Sequence, residues 1–231
     1  MTVGIMQPYF LPYIGYFQLM NAVDKYVIYD NIQYTKKGWI NRNRILQNGK
    51  DVLITIPVEK GSDFLDIKDR CVSTNFDKKK LLNQIKETYR KAPLFESVMP
   101  LIEDIINFDK SNLAAYIFNS IDQIRTYLNI DTEIVVSSTL NIDHSLKGQD
   151  KVIAICKELQ AADYYNAIGG QELYNAEDFG KENINLHFVS TNPIEYKQFK
   201  NEFVPWLSIL DVMMFNPVDE IQRMLNNYKL I

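Results

Sequence analysis

The sequence predicts an α/β fold with an open, mostly parallel sheet flanked by helices and a helical insertion. Three observations lead to this prediction. A strand, a helix and a second strand follow one another within the first thirty residues, which favours a βαβ unit and a parallel sheet. Amphipathic helical patterns fill residues 76–128. Strands and helices alternate again from residue 133, so we predict a single α/β domain over 1–231, with the block 76–128 inserted between its two α/β parts.

The elements before the insertion are predicted from apolar runs and breakers. Residues 3–6 predict a buried strand, a helical pattern runs from Gly15 to residue 21, and residues 25–29 predict a second strand. Residues 52–58 alternate only weakly and predict a further strand, and the alternation in residues 67–72 suits another strand at a sheet edge.

The insertion and the second α/β part are predicted from helical periodicity and capping residues. Three helices are expected in the insertion, over 75–89, 96–108 and 112–128, with Ser111 as a cap for the last. The later elements are strands at 133–137, 163–166 and 185–189, and helices at 148–160, 206–215 and from Asn216-Pro217 to 228. The polar stretch 191–201 is expected to be a mobile loop that could act as a lid.

Composition narrows the class of protein. A net charge of −4 argues against a general nucleic-acid-binding surface, so no such partner is expected. The two cysteines, Cys71 and Cys156, and the two histidines, His144 and His187, show no disulfide framework and no metal-ligand spacing. No apolar run approaches the ~18 residues of a membrane span, and the first residues do not resemble a signal peptide. We therefore expect a soluble cytoplasmic protein.

The segment between the first strand and the first helix is the foremost candidate site. Residues 6–19 contain five aromatic rings, two prolines and one glycine. Unpaired N–H groups at the start of a helix point at whatever such a loop holds, which is a common way to bind a nucleotide. The segment therefore predicts substrate contacts from Gln7, Tyr9, Tyr13, Gly15 and Tyr16. The alternative is a proline-rich turn whose rings pack in the core.

Residues 13–16, Tyr-Ile-Gly-Tyr, occupy the frame in which nucleotidylyltransferases and class I aminoacyl-tRNA synthetases carry a His-x-Gly-His type motif. The likeness favours a sheet of the nucleotidylyltransferase or Rossmann-like kind, with Gly15 letting the backbone approach a phosphate. Both imidazoles are replaced by phenols, whose pKa of ~10 prevents them from being cations at pH 7. The replacement argues against phosphate-transfer catalysis.

A second candidate cluster follows the second strand. Asp30 lies just beyond the strand's carboxyl end, where ligands bind in open α/β sheets, and is a candidate for proton removal. Arg42 and Arg44 follow Trp39 at a spacing that could bring two guanidiniums and an indole near the same pocket. Arg binds phosphate in a bidentate manner and Trp stacks on a base or sugar, so these residues suit a nucleotide diphosphate. The alternative places both arginines on a strand surface and Trp39 in the core.

Five further residues, in three segments of the chain, are candidates. His144 lies in a polar loop directly before a helix and could act as a general base, or hydrogen-bond a phosphate. Lys147 and that helix N-terminus predict a second anion site. Gly169 and Gly170 allow close backbone approach to a ligand, or form a plain strand-to-helix turn. Asp211, in an apolar helix, is expected to pair with Arg or Lys or to point into the site. No P-loop and no Gly-x-Gly-x-x-Gly occurs.

Several segments together carry a resemblance that spans almost the whole chain. They are residues 6–19, 24–34, 39–45, 89–93, 147–150, 168–174 and 207–211. In these segments the chain resembles the WbqC-like proteins, a bacterial family usually found with genes for surface polysaccharides such as O-antigen. The resemblance adds Tyr34, within the second segment, to the expected substrate-binding residues.

The resemblance implies a function in the biosynthesis of a surface polysaccharide. It implies a transferase whose substrate is a nucleotide-linked amino sugar and whose donor supplies an acyl or aminoacyl group to the sugar amine. Mg²⁺ bound with a diphosphate is compatible with the sequence, because Mg²⁺ needs few protein ligands. Two alternatives stay open: a nucleotidylyltransferase-like enzyme, and a non-catalytic binding or scaffold protein of the same pathway.

Overall fold

A six-stranded sheet and a separate two-stranded hairpin form the β-structure of the computed structural model, which describes residues 1–200 and 202–231. The strands in chain order are β1 (Thr2–Met6), β2 (Lys25–Ile28), β3 (Arg42–Gln47), β4 (Lys50–Thr55), β5 (Glu133–Val136), β6 (Asp163–Ala167), β7 (Asn185–Thr191) and β8 (Tyr228–Leu230). The six-stranded sheet has the order β5-β2-β1-β6-β7-β8, and β3 pairs with β4 in the hairpin.

The helices flank this sheet and fill the insertion. They are α1 (Ile14–Asn21), α2 (Lys78–Tyr89), α3 (Phe95–Asn107), α4 (Leu113–Tyr127), α5 (Gly148–Glu158), α6 (Ala176–Lys181), α7 (Ile209–Phe215) and α8 (Val218–Leu225). The predicted α/β class with an open, mostly parallel sheet is therefore confirmed. Within the described ranges, no helix has the length and apolar character needed to cross a membrane.

The strand order creates one crevice. Strands β5, β2, β1, β6 and β7 are all parallel, and only β8 runs antiparallel, beside β7. From β1 the chain first builds outward through β2 and β5, then returns to the other side of β1 to add β6 and β7. In open α/β sheets ligands bind where the order reverses, outside the carboxyl ends of the strands. Here that point lies beyond Met6 and Ala167.

The insertion shares its apolar packing with the sheet. Ile85 of α2, Ile102 of α3 and Ile117 of α4 are fully buried in one apolar cluster that also contains Phe17 of α1 and Met213 of α7. The helices begin and end close to the predicted bounds, because their apolar positions recur at helical spacing. This shared cluster, together with the contact between α3 and α7, connects the insertion to the helices that flank the sheet.

One predicted strand is absent, and another is present with different bounds. Residues 67–72 do not form a strand: Ile67–Asp69 is a 3₁₀ turn, followed by isolated bridges from Cys71 and Val72. The strand predicted at 52–58 ends at Thr55 and is the second half of a hairpin whose first strand, β3, was not predicted. Asn48 and Gly49 form its turn, with φ of 52° and 74°. Asn-Gly with both φ positive is the preferred two-residue hairpin turn.

The last elements also differ from prediction. Helix α7 begins at Ile209 rather than 206, because Trp206 has φ of 60° and the Ser208 hydroxyl accepts a hydrogen bond from the N–H of Leu210 as a cap. The final helix ends at Leu225, and Tyr228–Leu230 forms β8 instead. Helix α6 was not predicted; it has only six residues and little apolar periodicity.

Candidate functional site

A cavity of about 650 Å³ opens at the carboxyl ends of β1 and β6 and is called the switch-point cleft below. Its walls come from the loop after β1, the start of α5 and the 3₁₀ turn after β6. It brings together seven predicted site residues, namely Gln7, Tyr9, Tyr13, Tyr16, Trp39, Gly169 and Gly170. The strand order alone would place a ligand here.

The cleft is aromatic and uncharged. Its polar side chains are phenols and amides, namely Gln7, Tyr9, Tyr13, Tyr16, Tyr29, Gln149, Asn166 and Tyr174. The described residues that line it include no Asp, Glu, His, Cys, Lys or Arg. Such a lining suits hydrogen bonds to hydroxyl and amide groups and stacking on ring faces.

The phenols of the cleft hold their protons at neutral pH. Burial raises the pKa of Tyr16 well above its ordinary value, and burial together with neighbouring Tyr13 raises the pKa of Tyr9. Burial, with smaller contributions from Tyr174 and Asp66, raises the pKa of Tyr29 to about 12. These hydroxyls therefore act as hydrogen-bond donors and not as anions.

Helix α5 begins at the cleft. Gly148 and Gln149 line the cavity, and the cap position, Lys147, makes no side-chain hydrogen bond to the first turn. Gly148 has φ of 54°, and a Cβ added there would meet nothing within 4 Å. The first N–H groups of this helix lack intrahelical partners, and an anion is stabilised beside them. Lys147 itself is exposed and does not line the cleft.

A smaller cavity of about 260 Å³, the side pocket, adjoins the cleft. It shares Tyr9, Tyr13 and Trp39 with the cleft and adds Asn43, Arg44 and Trp206. The Arg44 guanidinium lies 5.0 Å from the Trp39 ring centre, and one of its nitrogens is 3.1 Å from Oδ2 of Asp51. Its Nε is buried without a partner among the described residues. Of the two predicted arginines, Arg44 is thus the one that reaches the combined site formed by the cleft and the side pocket.

Arg42 supports the site from outside. Its Nε donates to the Gly38 carbonyl at 2.8 Å, and a terminal nitrogen contacts the Lys37 carbonyl. Its guanidinium lies 5.7 Å from the Trp39 ring centre, and it lines neither cavity. Arg42 therefore positions the loop that presents Trp39, and its predicted contact with a diphosphate stays a prediction.

Two further predicted residues, Gly15 and Tyr34, do not line the cleft. A Cβ at Gly15 would be 2.3 Å from Cε2 of Tyr13 and 2.8 Å from Oγ1 of Thr191. The space expected to admit a phosphate is thus filled by the Tyr13 ring, and Gly15 is required for that packing. Tyr34 donates to Oδ1 of Asn41 at 2.9 Å and does not line the cleft.

Asp30 is buried and fully hydrogen-bonded. Its carboxylate accepts from Oγ of Ser137 at 2.9 Å, and from the N–H and Oγ of Ser138 at 3.0 Å and 2.7 Å. These bonds join the carboxyl ends of β2 and β5. Asp30 does not line the cleft, so the structure supports a positioning role, and proton removal by Asp30 stays a prediction.

His144 has both ring nitrogens engaged. Nδ1 lies 2.9 Å from Nδ2 of Asn31, and Nε2 lies 3.1 Å from the Leu140 carbonyl. These partners assign the proton to Nε2, because Asn31 donates and the carbonyl accepts. His144 does not line the cleft, and its role as a general base stays a prediction.

Lys151 is a buried cation that sequence reasoning missed. It is 4% exposed, and its Nζ donates to the Asn31 carbonyl at 3.0 Å. Burial lowers the pKa of this ammonium, while Asp66 and Asp30 partly offset the effect. It lies 5.4 Å from the ring centre of Tyr29, which lines the cleft. The available signal was a lysine four residues before Ile155, on the buried side of α5.

Asp211 neither pairs with an Arg or Lys nor points into the cleft, the two arrangements expected for it. It is completely buried and accepts hydrogen bonds from three side chains: Tyr89 at 2.8 Å, Tyr196 at 2.7 Å and Gln198 at 2.7 Å. Burial raises the pKa of its carboxyl, and the three hydrogen bonds partly offset the rise. Asp211 thus holds residues 196 and 198 onto α7 and does not line the cleft.

A larger depression of about 780 Å³ lies elsewhere, along α5 and α6. Its border includes the ion pairs Lys157–Glu182 and Lys181–Asp178, and it shares no lining residue with the cleft. We therefore place the candidate site at the strand ends. Among residues 1–200 and 202–231, no three His, Cys, Asp or Glu side chains are grouped as a metal site.

Comparisons with known proteins identify a family for this chain. A family model described as the WbqC-like protein family matches residues 7–223. The chain is 28% identical over 219 residues to the uncharacterized protein Rv1507c of Mycobacterium tuberculosis, and the match covers 93% of each chain. No solved structure matches the chain.

Proposed function

Because the chain belongs to the WbqC-like protein family, we propose that it binds a nucleotide-linked amino sugar in the switch-point cleft and transfers an acyl or aminoacyl group to the sugar amine. One observation carries the proposal: an aromatic, neutral cleft at the point where the strand order reverses, with the start of a helix in its wall. Ring faces suit a base and a sugar, and a helix N-terminus suits a phosphate.

The proposed binding mode uses groups on different sides of the combined site. The diphosphate lies near Gly148 and the glycine pair 169–170, where the backbone can approach closely. The sugar or base packs on Tyr9 and Trp39. Arg44, at the side pocket, contributes the charge that the cleft lining lacks.

The chemical step is the formation of an amide. The sugar amine uses its lone pair to attack the acyl carbon of an activated ester or thioester. The new C–N bond forms, the bond from the acyl carbon to the leaving oxygen or sulfur breaks, and the leaving group keeps that electron pair. The amine proton passes to the leaving group or to water.

Positioning is the principal catalytic contribution in this proposal. The cleft lining offers no carboxylate or imidazole in the described chain, and well-oriented reactants can react with effective molarities of ~10⁵–10⁸ M. The Tyr13 hydroxyl would donate to the acyl oxygen as charge develops on it. Burial raises the pKa of Tyr13, which keeps that proton in place.

Two alternatives differ in their support. The lack of acidic and imidazole groups in the described lining favours a non-catalytic protein that binds a nucleotide sugar, and this is the second candidate. A nucleotidylyltransferase is less favoured, because the Tyr13 ring and Thr191 fill the space beside Gly15 that a phosphate would need. As to location, we infer the cytoplasm, since Cys71 and Cys156 are both free thiols and suit a reducing compartment.

The test is a thermal-shift screen with nucleotides and nucleotide sugars, with and without Mg²⁺. A ligand present at 100 times its dissociation constant stabilises the folded state by about 2.7 kcal/mol. Stabilisation by UDP- or dTDP-amino sugars supports the proposed binding, and incubation with an acyl or aminoacyl thioester should then add the group's mass to the sugar. Binding without transfer favours the second candidate, and stabilisation by ATP alone favours nucleotidylyl transfer.

A further inference from the structure

A further cavity, called the chamber below, shares the lining residue Tyr13 with the cleft. It has a volume of about 600 Å³ and lies beneath the segment that follows β7, residues 192–200 and 202–207, which we call the strap. The carboxyl end of β7 and the first turns of α1 and α7 complete its walls. Its volume is within the range of small-molecule sites.

The strap is fixed by buried hydrogen bonds. Tyr196 and Gln198 both donate to Oδ2 of Asp211, each at 2.7 Å. Gln198 also accepts from the N–H of Val204 at 2.7 Å and donates to its carbonyl at 3.1 Å, which joins the two arms of the strap. The expected mobile lid is thus anchored to α7 through a buried carboxylate, so the chamber is a built feature of the fold.

The walls of the chamber are apolar and aromatic, and its charges are negative. Ile194, Phe203, Trp206 and Val212 supply apolar surface, and Glu195 and Glu202 supply two carboxylates. Among the described residues, no Lys or Arg lines it, and neither glutamate forms an ion pair with another of them. Aromatic faces and unpaired carboxylates attract a cation that carries an apolar body. An anionic carrier such as a phosphate would be repelled.

Tyr13 joins the chamber to the cleft. Its side chain lines the cleft, the side pocket and the chamber. Trp206, 6.1 Å from Tyr13 between ring centres, lines both the side pocket and the chamber. A molecule in the chamber and one in the cleft would therefore both contact Tyr13.

We propose that the strap chamber binds the ammonium group and the apolar side chain of an aminoacyl donor. This inference rests on the proposed function and deepens it, because it selects an aminoacyl group over a plain acyl group. The ammonium lies beside Glu195 and Glu202, and the side chain packs against Phe203 and Trp206. The carbonyl end then faces Tyr13 and the sugar amine beyond it.

The experiment uses L-phenylalanine amide, which carries the ammonium and an apolar ring but no carboxylate. Its neutral counterpart is 3-phenylpropanamide. Binding is followed by the fluorescence of Trp206 in the full chain with Trp39→Phe, which leaves one tryptophan. We expect saturable binding of L-phenylalanine amide and binding of the neutral analogue that is at least about tenfold weaker, which corresponds to about 1.4 kcal/mol. Adding Glu195→Gln and Glu202→Gln to the same chain should weaken binding of L-phenylalanine amide by a similar factor.

The outcomes separate this inference from the proposed function. Equal binding of the charged and neutral compounds, or no binding of either, overturns the assignment of the chamber. If wild-type protein still binds a nucleotide sugar in that case, the proposed function stands and only the donor assignment fails. The double variant Glu195→Asp and Glu202→Asp keeps both negative charges. If it still binds L-phenylalanine amide, the weaker binding of the glutamine variant is due to the lost charge.

Discussion

Tyr196 donates a hydrogen bond of 2.7 Å to the buried carboxylate of Asp211, and this contact attaches the strap to α7. Gln198 makes a second such contact, and Tyr89 approaches the same carboxylate from α2. The carboxylate thus joins the helical insertion, the strap and α7 at one buried point.

Tyr196→Phe is expected to lower the free energy of unfolding by about 1.5–3 kcal/mol, because it removes a hydrogen bond to a charged acceptor. Urea unfolding measures the change. Tyr228→Phe is the matched control, since the Tyr228 hydroxyl makes no side-chain hydrogen bond within the described chain, and its effect should stay within about 0.5 kcal/mol. Equal stability of the two variants would contradict the anchoring role.

Asp211 also predicts a pH dependence. Its pKa is raised in the folded state above the ordinary value of 3.8, so the folded protein holds this proton more tightly than the unfolded chain. The resulting stabilisation is fully present below pH 3.8 and is lost as the pH rises through the folded-state pKa. Asp211→Asn removes this dependence. The stability of the variant relative to wild type should therefore rise as the pH is raised from 3.8, and a flat or falling difference in urea titrations would refute the assignment.

The two arginines of β3 provide a matched pair. Arg44 reaches the side pocket, and Arg42 is held by loop carbonyls outside it. Arg44→Ala should weaken binding of a nucleotide sugar about 10–100-fold, since hydrogen bonds to charged groups contribute about 1.5–3 kcal/mol. Arg42→Ala should weaken it less. Isothermal titration of both variants measures the difference, and a larger loss with Arg42→Ala would contradict the placement.

The close packing of Gly15 against the Tyr13 ring should make the protein's stability sensitive to substitution of this glycine. Gly15→Ala places a methyl group against the Tyr13 ring and should destabilise the protein by about 1–3 kcal/mol. Gly180→Ala, in α6, meets nothing within 4 Å and should be neutral or stabilising by up to about 1 kcal/mol. Thermal unfolding compares them. Full stability of Gly15→Ala would show that Tyr13 can move aside.

His144 is expected to position its neighbours rather than to remove a proton. His144→Ala removes the hydrogen bond that Nδ1 accepts from Asn31 and the one that Nε2 donates to the Leu140 carbonyl, and it should lower stability by about 1–2 kcal/mol. Acyl transfer should fall by less than about tenfold, whereas loss of a general base typically reduces a rate by about 10²–10⁴. A rate loss in that larger range, with unchanged stability, would restore the catalytic assignment.

The sheet and the aromatic cleft could be predicted because their signals are local. The run Val3–Met6, the rings that follow and the strand at Lys25–Ile28 are contiguous, and parallel strands bring their carboxyl ends to one edge. Gln7, Tyr9 and Tyr13 follow directly from that edge. The Asn48-Gly49 turn was also a local signal, and its hairpin could have been predicted.

The remaining assignments depend on contacts between distant parts of the chain. Asp211 is 122 residues from Tyr89, and nothing in an apolar helix tells which donors surround its carboxylate. Arg42 and Arg44 are two residues apart and share a strand face, so sequence cannot separate their roles. The two arginines are distinguished only because the loop folds back and its Gly38 carbonyl accepts a hydrogen bond from Arg42, which leaves Arg44 at the side pocket.

Fluorescence titration of the variant Trp206→Phe with nucleotide amino sugars tests the central claim most directly. The chain has two tryptophans, both in the side pocket, so this variant leaves Trp39 as the reporter at the edge of the cleft. We predict a saturable change with a UDP- or dTDP-amino sugar that is lost or shifted at least about tenfold when Arg44→Ala is added. Unchanged Trp39 fluorescence with every nucleotide sugar, in protein that remains folded, would contradict binding in the switch-point cleft.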